Sequence, residues 1–208
     1  LSPKVQATTA LMKQHDTALD TTAVILELLM LSRAGDMSPG GEYFLDHMPI
    51  GYQRYRKRTY VSDLTEQGDK DYQLSVERML ATIKLLHDNG LRLLPGTDDG
   101  TGFTLHRELE LYAKSGIPAG EVLRIATLDM ARYMGQDKTL GSIEVGKQAD
   151  FFLVAGDPTR DINAVRKARL VSKGDAIYFP SEIYEALGVR PFADAPRPRT
   201  RTAVIADP

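Results

Sequence analysis

The clearest pattern along the chain is a stripe of apolar residues between Asp71 and Asn89. Leu74, Met79, Ile83 and Leu86 fall close to one helical face, and Val76, Leu80 and Leu85 widen it. This predicts a helix over residues 71–89, closed by Gly90 at the position where a left-handed residue ends the last turn. The unbroken apolar run at 91–94 then reads as a buried strand. A helix, a tight glycine turn and an apolar strand form the αβ half of a βαβ unit.

That strand ends abruptly in Gly96-Thr97-Asp98-Asp99-Gly100. Asp and Gly are favoured turn formers, so an ordinary turn explains these residues. The second reading is a loop that carries a carboxylate out of the strand's C-terminal tip, the edge where a parallel α/β barrel places its chemistry. Upstream, residues 8–14 read as the tail of a helix. Residues 17–31 read as a strand tip followed by a helix, with Asp20 or Thr21 as its cap. Residues 35–49, rich in Gly, Pro and Asp, predict a long loop.

Downstream, helices are expected at about 104–115 and 118–134, separated by Gly116-Ile117-Pro118. Gly141 and Gly146 bracket a short apolar alternation. Strand candidates follow at 150–154, 165–172 and 176–179, the last two joined by a Lys173-Gly174-Asp175 turn. Together these predict a small antiparallel β module. Residues 191–208, with Pro, Ala and Arg, read as an extended tail, poorly ordered or wrapped on the surface.

With 208 residues, 42% of them hydrophobic, the chain can bury a core in one or two domains. A net charge of -2 provides no large basic field for nucleic acid. The absence of cysteine excludes disulfides and thiolate metal sites, and does not decide the compartment. The longest apolar run, 23–31, is interrupted by Glu27 and is too short to span a bilayer. Residues 1–4 show neither an initiator Met nor a signal-peptide pattern, which fits a chain that begins inside a longer precursor.

The order of motifs carries a resemblance. Gly96-Thr97-Asp98 is followed by His106-Arg107-Glu108-Leu109-Glu110-Leu111-Tyr112 and then Ser115-Gly116-Ile117-Pro118. Last comes Leu140-Gly141-Ser142-Ile143-Glu144-Val145-Gly146-Lys147-Gln148-Ala149-Asp150. This series resembles the C-terminal half of the amidohydrolase superfamily, in the branch of imidazolonepropionase-like and Xaa-Pro dipeptidase-like hydrolases. The likeness is close over 91–179 and looser over 17–90.

The resemblance implies an α/β fold. Residues 1–135 would be the C-terminal part of a (β/α)8 TIM barrel, 136–180 part of a composite β-sandwich, and 181–208 a tail. It implies one or two divalent metal ions, zinc above all, and hydrolysis of a C–N bond by a metal-activated water. Asp98 matches the aspartate at the end of the eighth strand, which binds metal and shuttles the water's proton. Gly100 and His106, on the same edge, are candidate substrate contacts.

The resemblance also exposes a gap. Family members take further ligands from earlier strands, including a His-x-His pair. This chain has four histidines, His15, His47, His87 and His106, and no His-x-His. None of the first three fits a strand tip. Only two barrel strands are countable, near 17–22 and 91–94, while a barrel needs about 250 residues. The expected partners are therefore the missing N-terminal half of the barrel, further copies of the protein in a homo-oligomer, and a small-molecule or peptide substrate. Neither nucleic acid nor membrane is expected.

Two other readings stay open. One is a non-catalytic subunit of the same fold that lacks a full ligand set. The other is an anionic-surface or nucleic-acid binder using the basic and aromatic run at 51–60 and the Arg-rich tail. The bland reading of that run is a solvated helix face, or Tyr rings packed on the barrel. Packing is likewise expected of Tyr43, Tyr52, Tyr55 and Tyr60. Lys147 is expected at a structural turn, and Asp99 in the loop beside Asp98.

Overall fold

In the computed structural model, which describes residues 2–62 and 64–197, the chain is mixed α/β. Helix α1 (Pro3–Gln14) leads into β1 (Ala18–Asp20) and α2 (Ala23–Leu31). A long excursion containing α3 (Ile50–Arg56) connects to α4 (Glu66–Asp88), which returns to β2 (Arg92–Leu94). The two strands pair in parallel, with Ala18, Leu19 and Asp20 opposite Arg92, Leu93 and Leu94. Parallel pairing requires a crossover of this kind. Both strands therefore end on one edge, at Asp20 and Leu94.

Helix α4 starts five residues before the apolar stripe does. Its cap is Thr65, whose hydroxyl accepts from the Gly68 N–H at 3.0 Å, and Lys70–Glu66 and Gln67–Asp71 contacts support the polar first turns. The main core joins Leu93 of β2 with Ile83 of α4, Ala23 and Val24 of α2, and Leu109, Leu111 and Tyr112 of α5 (Gly102–Lys114).

The helix expected over 118–134 is divided. Ala119–Arg124 forms α6, Ile125–Asp129 is one π-helical turn, and Met130–Tyr133 forms α7. An ion pair five residues apart, Arg124 to Asp129 at 2.7 Å, matches that wider turn. Gly141 lies against it at φ +87°, and a Cβ there would come within 2.7 Å of Ala131 Cβ and 2.9 Å of Leu128 Cα. Here both close approach and backbone conformation require glycine.

The apolar alternation 140–147 forms turns and no strand. Ile143 (88% exposed) and Val145 (108%) project from it. Lys147 ties this segment together, its ammonium reaching the Leu140 carbonyl at 3.4 Å, Glu144 at 3.4 Å and the Ser142 hydroxyl.

Strands β3 (Phe151–Val154), β4 (Ala168–Lys173) and β5 (Ala176–Tyr178) form an antiparallel meander. Its hairpin turn is Lys173-Gly174-Asp175, with Gly174 at φ +61° and its N–H donated to Asp150 at 2.7 Å. The strand expected from Val165 begins only at Ala168. Residues Ile162–Arg166 form a 3-10 turn, because Val165 is drawn into the core and Arg166 pairs with buried Glu110 at 3.0 Å.

Helix α8 (Pro180–Ala186) follows. The first part of the expected tail packs back on the excursion: the Arg190 N–H donates to the His47 carbonyl at 2.8 Å, and His47 stacks on Phe192 at 4.0 Å. Residues 198–208 of that tail lie outside the described residues. No helix among the described residues is long and apolar enough to cross a membrane.

Candidate active site

Asp98 sits just past β2, exposed, at φ +48°. Left-handed backbone is tolerated better by Asp than by most residues. Its neighbours are tied to each other: the Thr97 hydroxyl donates to the Asp99 carbonyl at 3.0 Å, and the Thr101 N–H donates to the same carbonyl at 2.9 Å. Among the described residues, the Asp98 carboxylate has no hydrogen-bond or ion-pair partner. Asp99 is different. Its Oδ2 accepts from Arg56 Nη1 at 2.6 Å, in a pair that is nearly buried.

Asp20, at the neighbouring tip, was expected with Thr21 as a cap for α2. Neither caps it. The N-cap is Thr22, at φ +41° and without a side-chain bond. The first helical N–H groups, of Ala23 and Val24, are taken by the Glu108 carboxylate at 3.1 and 2.7 Å. Thr21 donates to the same carboxylate, and Tyr112 Oη lies 2.7 Å from Thr21 Oγ1 while donating to the Leu94 carbonyl at 3.0 Å. Glu108 and Tyr112 of α5 thus lock the two strand tips together. Burial pushes the Glu108 carboxyl above its ordinary range, partly offset by these donors.

Asp20 is instead free to accept from the Gly96 N–H at 3.1 Å, and a Cβ on Gly96 would collide with it. This second strand-tip carboxylate was missed. Its signal was available: Asp20 ends an apolar stretch just as Asp98 follows one.

The histidines do not gather at this edge. His15 caps the C-terminal end of α1. His87 lies between Asp88 and Glu121, at 3.1 and 3.4 Å, on a cavity of about 500 Å³ at the opposite ends of the strands. Most cations lining that cavity are already paired, as in Arg92–Asp16 at 3.0 Å. His47 Nδ1 bonds the Arg190 carbonyl at 2.7 Å.

His106 lies inside α5, whose N-cap position is held by Thr101 without a side-chain bond. It sits edge-on to Phe103, with Nδ1 buried and unpartnered among the described residues. Gly100, the other expected substrate contact, is exposed in the loop.

Burial, reinforced by the charge of Arg166, lowers the His106 pKa to about 4 from 6.5. A depressed imidazole binds fewer protons folded than unfolded. Stability should therefore fall as pH drops from 6.5 to about 4, by at most about 3 kcal/mol. His106→Phe is expected to flatten this part of the pH–stability curve, read as unfolding midpoint against pH. Parallel curves for the two proteins would show that no buried neutral imidazole exists here.

The packing expected of the Tyr residues of the excursion is only partial, since Tyr43, Tyr55 and Tyr60 stay exposed and meet arginine side chains. Tyr55 and Tyr60 flank the Arg58 guanidinium at 3.9 and 4.9 Å, and Tyr43 covers that of Arg166 at 4.6 Å.

The strand tips thus offer an unpartnered oxygen donor, which suits a hard or borderline divalent cation. Among the described residues no group of three or more His, Cys, Asp or Glu could hold a metal, so Asp98 fits as one ligand and not as a complete site.

No curated protein matches the chain. Among solved structures, it is similar to a Xaa-Pro dipeptidase with bound methionine in its active site (22% identity, TM-score 0.58, covering 82% of this chain and 36% of that one). It is also similar to a prolidase complexed with N-methylphosphonate-L-proline (17%, 0.55, 83% and 37%). A third similar structure is the bottromycin amidohydrolase (20%, 0.50, 82% and 40%). The chain therefore spans about two-fifths or less of the length of these structures. The model of the amidohydrolase family matches residues 8–176, most of the sequence, and the chain belongs to that family.

Proposed function

We propose that this chain is the C-terminal portion of a metal-dependent amidohydrolase, with β1 and β2 as the last two strands of a (β/α)8 barrel and β3–β5 as part of its β-sandwich. The bond cleaved is an amide, peptide or cyclic amide C–N bond. The observation that carries this reading is the Asp98 carboxylate, unpartnered among the described residues, at the C-terminal tip of a parallel strand, the edge where barrels place catalysis. The remaining ligands and most of the substrate pocket would come from the earlier strands of such a barrel, and exposed Gly100 would belong to the edge the substrate approaches.

Asp98 would hold the metal, zinc by preference. When bound, the metal supplies the Lewis acid that brings the pKa of a water toward neutrality. Asp98 accepts the proton of that attacking water on its carboxylate and delivers it to the leaving nitrogen. Glu108 and Tyr112 keep the strand tips in register while this happens, a rigid mounting such a transfer needs.

The test is elemental analysis of the full-length protein, together with hydrolysis of a panel of dipeptides, Xaa-Pro among them, and cyclic amides. At least one equivalent of divalent metal is expected, with turnover abolished by a chelator and restored by zinc. Metal-free full-length protein with no hydrolysis after zinc addition would favour the non-catalytic subunit instead.

A further inference from the structure

We propose that the buried ion pair between Arg56 and Asp99 is the positioning device of the Asp98 loop, holding residues 97–101 in the conformation that presents the catalytic carboxylate. The inference rests on the reading of Asp98 given above, and extends it to a residue 42 positions away in sequence.

Arg56 closes α3, inside the excursion between α2 and α4. That excursion is tied at its base. The Gly35 N–H donates to the Lys57 carbonyl at 2.8 Å, the Thr59 hydroxyl donates to the Ser32 carbonyl at 3.1 Å, and the Tyr60 N–H donates to Ser32 Oγ at 3.2 Å. Farther out, Phe44 stacks on Phe103 of α5 at 5.3 Å. Arg56 is thus mounted on an anchored element, and its side chain is only 5% exposed, against 14% for Asp99. A buried guanidinium cannot give up its one carboxylate without a large penalty, so the pair holds firmly or not at all.

The loop needs such a hold. Asp98 has left-handed backbone and, among the described residues, a carboxylate without a partner, and conformations of this kind persist only where the neighbours determine them. Thr97 and Thr101 bind the Asp99 backbone, and Thr104 Oγ1 adds a bond to its carbonyl at 3.2 Å. Those contacts are all local. Among the described residues, Arg56 alone connects the Asp99 side chain to a distant element. It does so through a single nitrogen, Nη1, at 2.6 Å. One contact in place of a two-pronged fork means that a lysine ammonium can replace it.

The test uses the full-length, metal-loaded protein and the variants Arg56→Ala, Arg56→Lys, Asp99→Asn and Arg56→Ala/Asp99→Asn. The readouts are kcat, KM, metal retention against a chelator, and amide hydrogen exchange over 97–101 and over α4. Arg56→Ala and Asp99→Asn should each lower kcat and metal retention by about 10- to 100-fold, the range for groups that orient a metal ligand. KM should stay within about threefold, since the loss falls on the transition state.

Exchange should quicken in the loop and not in α4. The double variant should be no worse than the poorer single one, and Arg56→Lys should recover most of kcat. If Arg56→Ala fails to fold, Asp99→Asn, which changes charge and not size, decides. Single variants with kcat within twofold of the parent and unchanged loop exchange would overturn the proposal. A loss that tracks faster exchange in α4, or that lysine does not rescue, would also overturn it by assigning the pair to global stability. An inactive, metal-free parent protein overturns the reading of Asp98 instead, and loop exchange then still decides whether Arg56 holds the loop.

Discussion

Asp98→Asn in the full-length protein is expected to lower kcat by about 100- to 10,000-fold, the range for removing a positioned proton-transfer group. The amide keeps the size of the carboxylate and loses its ability to accept the water's proton. Asparagine also tolerates the left-handed backbone at φ +48° about as well as aspartate does, so the substitution separates chemistry from conformation. Asp98→Ala would not, because a Cβ without a polar tip adds backbone strain of about 1–2 kcal/mol at the same position. Steady-state kinetics, metal content and the unfolding midpoint should be read together. A thermal midpoint close to the parent's, with kcat reduced by two orders of magnitude or more, is the expected pattern. An Asn variant within threefold of the parent in kcat, with its metal retained, would remove Asp98 from the mechanism.

How the site could be read from sequence differs from residue to residue. The strand-tip position of Asp98 was accessible because local signals coincide there: an apolar strand stops, a glycine follows, and a carboxylate comes soon after. Helix α4 was accessible through its apolar periodicity, though its start was not, since a Thr65 cap and a polar first turn leave no apolar stripe. Glu108 was invisible as a cap. A carboxylate in the middle of α5 gives no sign that it will serve the N-terminus of a helix some 85 residues earlier. The π turn escaped for the opposite reason, because its signal is a five-residue spacing that hydrophobic periodicity at 3.6 averages away.

The basic and aromatic run 51–60 shows the same limit most sharply. Read alone, its alternating Arg and Tyr suggest an anion-binding surface. In the fold, Arg58 stacks between two of the tyrosines and Arg56 is buried against Asp99, so two of its cations are engaged inside the chain. Likewise the string Gly141 to Lys147 was informative as a motif and uninformative as structure. Its glycine serves the π turn and its lysine ties a loop, and neither property shows in the apolar alternation between them.

The largest stability effect is expected from Arg107→Ala. Arg107 Nε and Nη2 hold both oxygens of Glu27 at 2.8 and 2.7 Å, and Nη1 reaches Glu110 at 2.8 Å; all three side chains are 7% exposed or less. Burial alone would lower the arginine's pKa, but the bonds and charge of Glu27 and then Glu110 raise it on balance, so it stays charged in the core. Arg166 shares Glu110 from the far side, so the network joins α2, α5 and the turn that precedes β4. Gly40, at φ +71°, presses on the Arg107 stem, where a Cβ would lie 2.7 Å from its Cδ.

Truncation leaves the buried Glu27 carboxylate without its partner, which costs about 3–5 kcal/mol. Replacing both members, Arg107→Leu with Glu27→Met, removes the two charges together and should recover most of that loss, because Glu110 keeps Arg166 and Lys114. Denaturant midpoints of the three proteins decide the matter. A single variant that loses less than about 1 kcal/mol, or a double variant that falls further than the single, would mean that the network does not carry the junction between α2, α5 and the antiparallel sheet.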